Sequence, residues 1–155
     1  MSTSVLEDYW QRYRAASNDP TLPATPYEAE GFGDSPALAD QLGHLILSGV
    51  KTATCSALWE WQAEQRDPPT VGYRSIVLDG RETPLCIIET TEVSICAFEA
   101  VDERFAFEEG EDDRTLASWR RGHWDFFSRT LARIGRQPSP DMPLVCERFR
   151  VIHRW

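Results

Sequence analysis

Gly49-Val50-Lys51-Thr52-Ala53-Thr54-Cys55 is the stretch on which the reading of this sequence turns. On its N-terminal side Ser35-Pro36 opens a helix. Serine is a good N-cap, and proline suits the first helical position, where its missing N–H loses no bond. Leu38, Leu42, Leu45 and Ile46 then form one apolar stripe at helical spacing. Gly49 falls where a left-handed glycine closes a helix. Beyond it, residues 50–55 are rich in β-branched side chains and read as extended. Lys51 therefore stands at a helix-to-strand junction, the kind of place where a scaffold presents working side chains.

Lys51 is also chemically singular. The chain has 16 basic residues, and fifteen of them are arginines. A guanidinium never gives up its proton in a protein, whereas a buried lysine amine can. A site needing a titratable amine or a compact ammonium would keep a lysine.

Working outward, Val5, Leu6, Tyr9, Trp10 and Tyr13 predict a helix over about 4–16, with Ser4 to Glu7 in capping-box form. Residues 17–34 hold three prolines and read as an irregular loop. Ala57 to Arg66 suggests a short helix, stopped by Asp67-Pro68-Pro69. Strands are expected at Tyr73–Leu78, at Leu85–Cys96 and at Leu144–His153. Phe98, Val101 and Phe105 suggest another short helix. An acidic turn at 108–113 leads into a long helix over about 114–134, with Leu116, Trp119, His123, Phe127 and Leu131 in its stripe. Strands and helices mix without regular βαβ alternation. That pattern suits an α+β fold, a small, mainly antiparallel sheet or β-barrel flanked by helices.

The 155 residues have the size of one domain, taken here as 1–155. With 41% apolar residues, six Trp and seven Phe, the chain reads as a packed globule. No apolar run approaches the ~18–20 residues that span a bilayer, and no leader is visible, so a cytoplasmic protein without a membrane partner is expected. Cys55, Cys86, Cys96 and Cys146 form no C-x-x-C pair and read as reduced core thiols. His44, His123 and His153 are far apart. No metal and no other cofactor is expected, and no protein partner is readable. The net charge of −9 opposes tight binding of long polyanions, though a local pocket for a nucleotide or short strand is compatible with it.

Several pieces occur in order: Phe32-Gly33-Asp34-Ser35, Gly49-x-Lys51-x-x-Thr54, Pro69-x-x-Gly72, Ile87-Ile88-Glu89-Thr90-Thr91, Glu109-Gly110-Glu111-x-Asp113 and Trp119-Arg120-x-x-His123. In these the chain resembles the ASCH family, which is related to the PUA fold. The resemblance implies a PUA-like β-barrel flanked by helices, with a cleft around the G-x-K-x-x-T residues. Small bacterial relatives are amidohydrolases that remove the acetyl group of N4-acetylcytidine with a Lys, Thr and Glu set. Another member is described as a ribonuclease on single-stranded RNA, and others only bind RNA. Carried onto this sequence, the catalytic set is Lys51, Thr54 and Glu109, with Glu111 as a close rival. The implied function is a hydrolase of a modified nucleoside. A single-stranded RNA ribonuclease and a non-catalytic RNA- or nucleotide-binding module are the alternatives. The expected partner is a nucleoside or a short single-stranded RNA.

Two assignments of the chemistry are open. Thr54 Oγ attacks if a neutral Lys51 takes its proton; otherwise Lys51 stays charged and receives the oxyanion while Glu109 activates water. Residues i and i+3 of a regular strand face opposite ways, so Lys51 and Thr54 converge only if the segment bends. Around this set, Gly49, Thr52, Asp34, Tyr27, Glu111, Arg120, His123 and Ser128 are the expected binding residues. Trp59 and Trp61 are expected in the core.

Overall fold

Capping and periodicity account for most of the elements. The computed structural model describes residues 3–24 and 28–154, so Tyr27 lies outside the described residues. Helix α1 (Thr3–Ser17) begins one residue before the cap expected at Ser4. Strand β1 (Glu28–Gly31) follows, then α2 (Pro36–Leu47), β2 (Ala53–Ala57), α3 (Leu58–Ala63), β3 (Arg74–Leu78) and β4 (Pro84–Ala97). Helices α4 (Glu103–Glu109) and α5 (Leu116–Ala132) and strand β5 (Pro143–Arg154) complete the order. Among the described residues three helices carry a side-chain cap, each on a residue type suited to it. Ser35 Oγ accepts from Leu38 N at 3.1 Å, Asp102 from Phe105 N at 2.8 Å, and Thr115 Oγ1 from Ser118 N at 3.2 Å.

The five strands form one sheet in the order β1-β3-β4-β5-β2. Three of its pairings are antiparallel, but β1 runs parallel to β3. The sheet also ends at β1 and β2 rather than closing, so the expected barrel is an open, curled half-barrel. Curling is evident because both edge strands, with β3, β4 and β5 between them, line one common cavity. Bulges between Val77 and Leu78, Ile87 and Ile88, and Thr90 and Glu92 supply the bends.

β1 corrects the reading of 17–34 as loop throughout. It is four residues, Glu-Ala-Glu-Gly, with no β-branched side chain to announce it.

Packing divides the apolar residues around this sheet. Tyr9, Trp10 and Tyr13 of α1, with Leu22, cover Ile76, Leu78 and Ile87. Trp10 is wholly buried, and its indole N–H donates to Pro23 O at 2.9 Å. Ile46 of α2 packs with Val77, Cys86, Ile88 and Phe149. The largest cluster joins α4 and α5 to β2 and β5 through Phe98, Phe105, Trp119, Phe127, Leu131 and Leu144. Among the described residues no helix is long and apolar enough to cross a membrane.

Candidate functional site

The α2–β2 junction folds in a way that turns Lys51 inward. Gly49 takes φ +80°, just past the Ser48 cap. The N–H groups of Val50 and Lys51 both return to Leu45 O, at 3.0 and 3.1 Å. Thr52 is then bolted on both sides: its N–H donates to Glu108 O at 2.8 Å, and its carbonyl accepts from Phe149 N at 3.0 Å. Lys51 is left 1% exposed.

What meets it comes from the end of α4. Gly110 closes that helix in the left-handed conformation, φ +73°. A Cβ there would stand 2.6 Å from Val50 O and 3.0 Å from Lys51 Cα, so only glycine allows the two segments to approach this closely. Glu109 and Glu111 flank Gly110, and both carboxylates reach the amine. Lys51 Nζ donates to Glu109 Oε1 at 3.0 Å, to Glu111 Oε2 at 3.1 Å and to Ala53 O at 2.8 Å.

The second oxygen of Glu109 is as crowded as the first. Oε2 accepts from the Trp119 indole N–H and from His123 Nε2 at 2.9 Å, and Cys55 Sγ lies at 3.5 Å. His123 Nδ1 lies 2.9 Å from Trp119 O, a contact in which the ring donates. Trp119 and His123, four apart on α5, stack at 4.3 Å and 17°. With an acceptor at each nitrogen, the imidazole is arranged to carry both protons.

Electrostatics follow from this arrangement. Burial pushes the Lys51 amine down, but Glu109 and Glu111 overcome it and hold the amine above its ordinary range. The same contest ends the same way at His123, where burial lowers and Glu109 raises, with a net rise. Burial pushes Glu109 towards neutrality, yet Lys51 and His123 together hold it far below the usual carboxylate range. Burial and then Glu109 push the Cys55 thiol well up, so it keeps its proton. Two cations and two carboxylates thus balance in a site from which water is largely removed.

This cluster opens onto a cavity of about 260 Å³. Its polar wall includes Lys51, Thr54, Cys55, Glu109, Glu111 and His123, and its apolar wall Phe32, Leu38, Leu42 and Phe126. The bend required for Lys51 and Thr54 to share a cavity is present, because β2 begins only at Ala53.

Other residues expected here lie elsewhere. Gly49 shapes the junction but does not line the cavity. Thr52 is exposed, with its hydroxyl 3.4 Å from Glu108 O. Asp34 pairs with Arg129 at 2.8 Å, and it is Arg129 that reaches the cavity wall. Arg120 points away, its guanidinium donating to Glu99 O at 3.3 Å. Ser128 donates to Trp124 O of its own helix at 2.8 Å, the usual fate of a helical serine. Conversely, Cys55 was expected in the core and instead faces the cavity. Trp119 has no role of its own in the sequence reading, only a place in the α5 stripe and in the Trp119-Arg120-x-x-His123 piece, yet its indole holds Glu109; its place one turn before His123 is the signal that the two side chains share a face. Trp59 packs on the core as expected, whereas Trp61 lines a neighbouring chamber.

Cys55 Sγ, Glu109 and His123 Nε2 all lie within 4.8 Å of one another, a spacing able to hold an ion. The charges oppose one. A cation would have to sit beside the Lys51 ammonium, on a thiol and an imidazole whose protons the site retains.

Comparison with known proteins agrees with the fold. A family model described as "ASCH domain" matches residues 28–153. The chain is 39% identical to a protein of known crystal structure from Enterococcus faecalis V583, with a TM-score of 0.89, covering 97% of this chain and 90% of that one. It is 33% identical to a crystallised ASCH domain from Lactobacillus crispatus JV V101, with a TM-score of 0.88, covering 96% and 94%. No curated protein matches the sequence.

Proposed function

The chain belongs to the ASCH domain family, and from that premise we propose that it hydrolyses the exocyclic amide of an N4-acylated, cytidine-like nucleoside in the cavity beside Lys51. One observation carries this reading: a buried ammonium, paired with two carboxylates, opens onto a cavity sized for a small molecule.

Of the two assignments left open by the sequence, the electrostatics favour the charged lysine. With its proton retained, Lys51 offers no lone pair to activate Thr54, and its ammonium serves the carbonyl oxygen instead. Glu109 is a poor base here, because four donors already occupy its two oxygens. Its work is to fix Lys51 and His123. Glu111 is 27% exposed and faces the cavity. It takes a proton from water as the hydroxide adds to the carbonyl carbon. The oxyanion rests on Lys51. When the C–N bond breaks, Glu111 returns that proton to the leaving nitrogen. Thr54, on the same wall, orients the water.

A polynucleotide fits less well. The rim next to the cavity carries Asp112, Asp113 and Asp125 against Arg121, and the whole chain is at −9. The test is to incubate the protein with N4-acetylcytidine and, separately, with labelled single-stranded RNA. Release of cytidine is expected, with Lys51→Arg and Glu111→Gln each at least ~100-fold slower. Cleavage of the RNA with the nucleoside untouched would replace this reading with the ribonuclease.

A further inference from the structure

The concave face of the sheet carries a second chamber, which meets the chemistry at Lys51 only along the wall the two share. Its volume is about 260 Å³, and it shares Phe32, Gly33, Thr54, Cys55 and Phe126 with the first cavity, so the two are halves of one cleft. Every strand contributes a polar side chain: Glu28 and Glu30 from β1, Ser56 from β2, Ser75 from β3, Thr90 from β4 and Glu147 from β5. The inner face of a curled sheet is ordinarily the apolar one. Here carboxyls and hydroxyls occupy it beside the rings of Trp61, Tyr73 and Phe149. Folding gains little from such a wall, whereas a ligand that needs both rings and charge would gain much.

Charge decides which ligand. Four carboxyls line the chamber, those of Glu28, Glu30, Glu60 and Glu147, against one cation, Arg66. That guanidinium is already paired with Glu28 at 2.7 Å and Glu64 at 3.4 Å. Thr90 Oγ1 donates to Glu147 at 3.1 Å. Glu30, exposed at the edge of the sheet, lines the chamber and has no hydrogen bond or ion pair among the described residues. Partial loss of solvent on the chamber side, followed by repulsion from Glu28 and Glu147, raises its carboxyl above the ordinary range. Burial likewise raises Glu147. An anion placed here meets repulsion, while a cation relieves it.

We propose that this chamber is a binding subsite for a flat organic cation bearing N–H donors, an amidinium, a guanidinium or a protonated aminoheterocycle, held between the rings and paired with Glu30 and Glu147. Planarity suits the aromatic walls, and forked N–H donors suit a carboxylate.

The test is calorimetric titration of the whole chain at about pH 8, where carboxylates are ionised. The probes are benzamidinium and two flat relatives of nearly its shape, neutral benzamide and anionic benzoate. Saturable binding of benzamidinium is expected, with a Kd of about 1 mM or tighter, the scale open to so small a ligand. Benzamide and benzoate should bind at least ~10-fold more weakly, and Glu30→Gln with Glu147→Gln should cost benzamidinium at least ~10-fold. Glu30→Gln alone, at an accessible edge-strand position, gives a loss of the same sign where the double variant fails to fold. Equal binding of benzamide, an unchanged affinity in a folded variant, or no benzamidinium binding up to ~10 mM would each overturn the proposal. The titration reads binding alone, so it stands apart from the hydrolysis proposed at Lys51.

Discussion

His123 shows how one residue can be half legible. Its helical spacing placed it in the α5 stripe, and the neighbouring Trp119 packs there as that stripe requires. What spacing could not show is that its ring reaches Glu109, a residue on another helix, while Nδ1 turns back to Trp119 O. Lys51 was easier, being the one lysine in the chain. Cys55 gave no such signal, because a cysteine in a strand is usually core. The His123 contact has a measurable pH signature. Its folded-state pKa is raised, with Glu109 outweighing burial, so its charge stabilises the fold fully below the unfolded value of about 6.5. That contribution is lost as pH rises through the higher folded value. Glu109, with a lowered pKa, contributes above about 4.5 and loses its share as pH falls. His123→Gln should therefore cost about 1.5–3 kcal/mol near pH 6, the scale of a hydrogen bond to a charged group. The gap to wild type should narrow in more alkaline buffer. Urea unfolding across pH checks this, and a gap that widens as pH rises would remove the imidazolium from the site.

Element boundaries were legible where caps mark them and not where pairing decides them. α2 starts at the expected proline, and α5 lies within the expected 114–134. β1 was missed because a short polar strand is made by its neighbour. It pairs Glu28 with Ser75 and Gly31 with Leu78 of β3, across a crossover no local pattern reveals. The two left-handed glycines at the junction separate the cost of backbone strain from that of close approach. Around Gly49 nothing lies within 4 Å of an added Cβ, so Gly49→Ala meets only the conformational penalty, about 1 kcal/mol. Gly110→Ala meets that penalty and also a clash with the Val50 carbonyl, which cannot move without carrying Lys51. Gly110→Ala should thus be the more destabilising in urea titration, by at least ~1 kcal/mol, and should abolish turnover, while Gly49→Ala keeps most of it. Equal effects of the two would mean that the α4 end is not held against the junction.

On the scale of the molecule, the sheet separates stability from chemistry. An α+β fold with helices around a small sheet was readable from the mixture of periods. The parallel edge, the open curl and the paired chambers were not, because each depends on which distant strands meet. Curling puts the cleft on the concave face, whereas α1 buries Tyr9, Trp10 and Tyr13 against Ile76, Leu78 and Ile87, and among the described residues none of α1 lines either chamber. A residue such as Trp10 is therefore a clean probe of the separation. Truncating a fully buried tryptophan costs about 3–5 kcal/mol. For a chain of this size each kcal/mol is worth roughly 2–4 °C, so Trp10→Ala should lower the Tm by about 6–20 °C. Below that transition its rate on an acylated nucleoside should stay within about twofold of wild type, since the Lys51–Glu109 pair is built from α4 and the α2–β2 junction and not from α1. Calorimetry and the deacylation assay on the same sample decide it. A fall in rate alongside an unchanged Tm would mean that α1 reaches the cleft through the sheet, and that the two faces act as one unit.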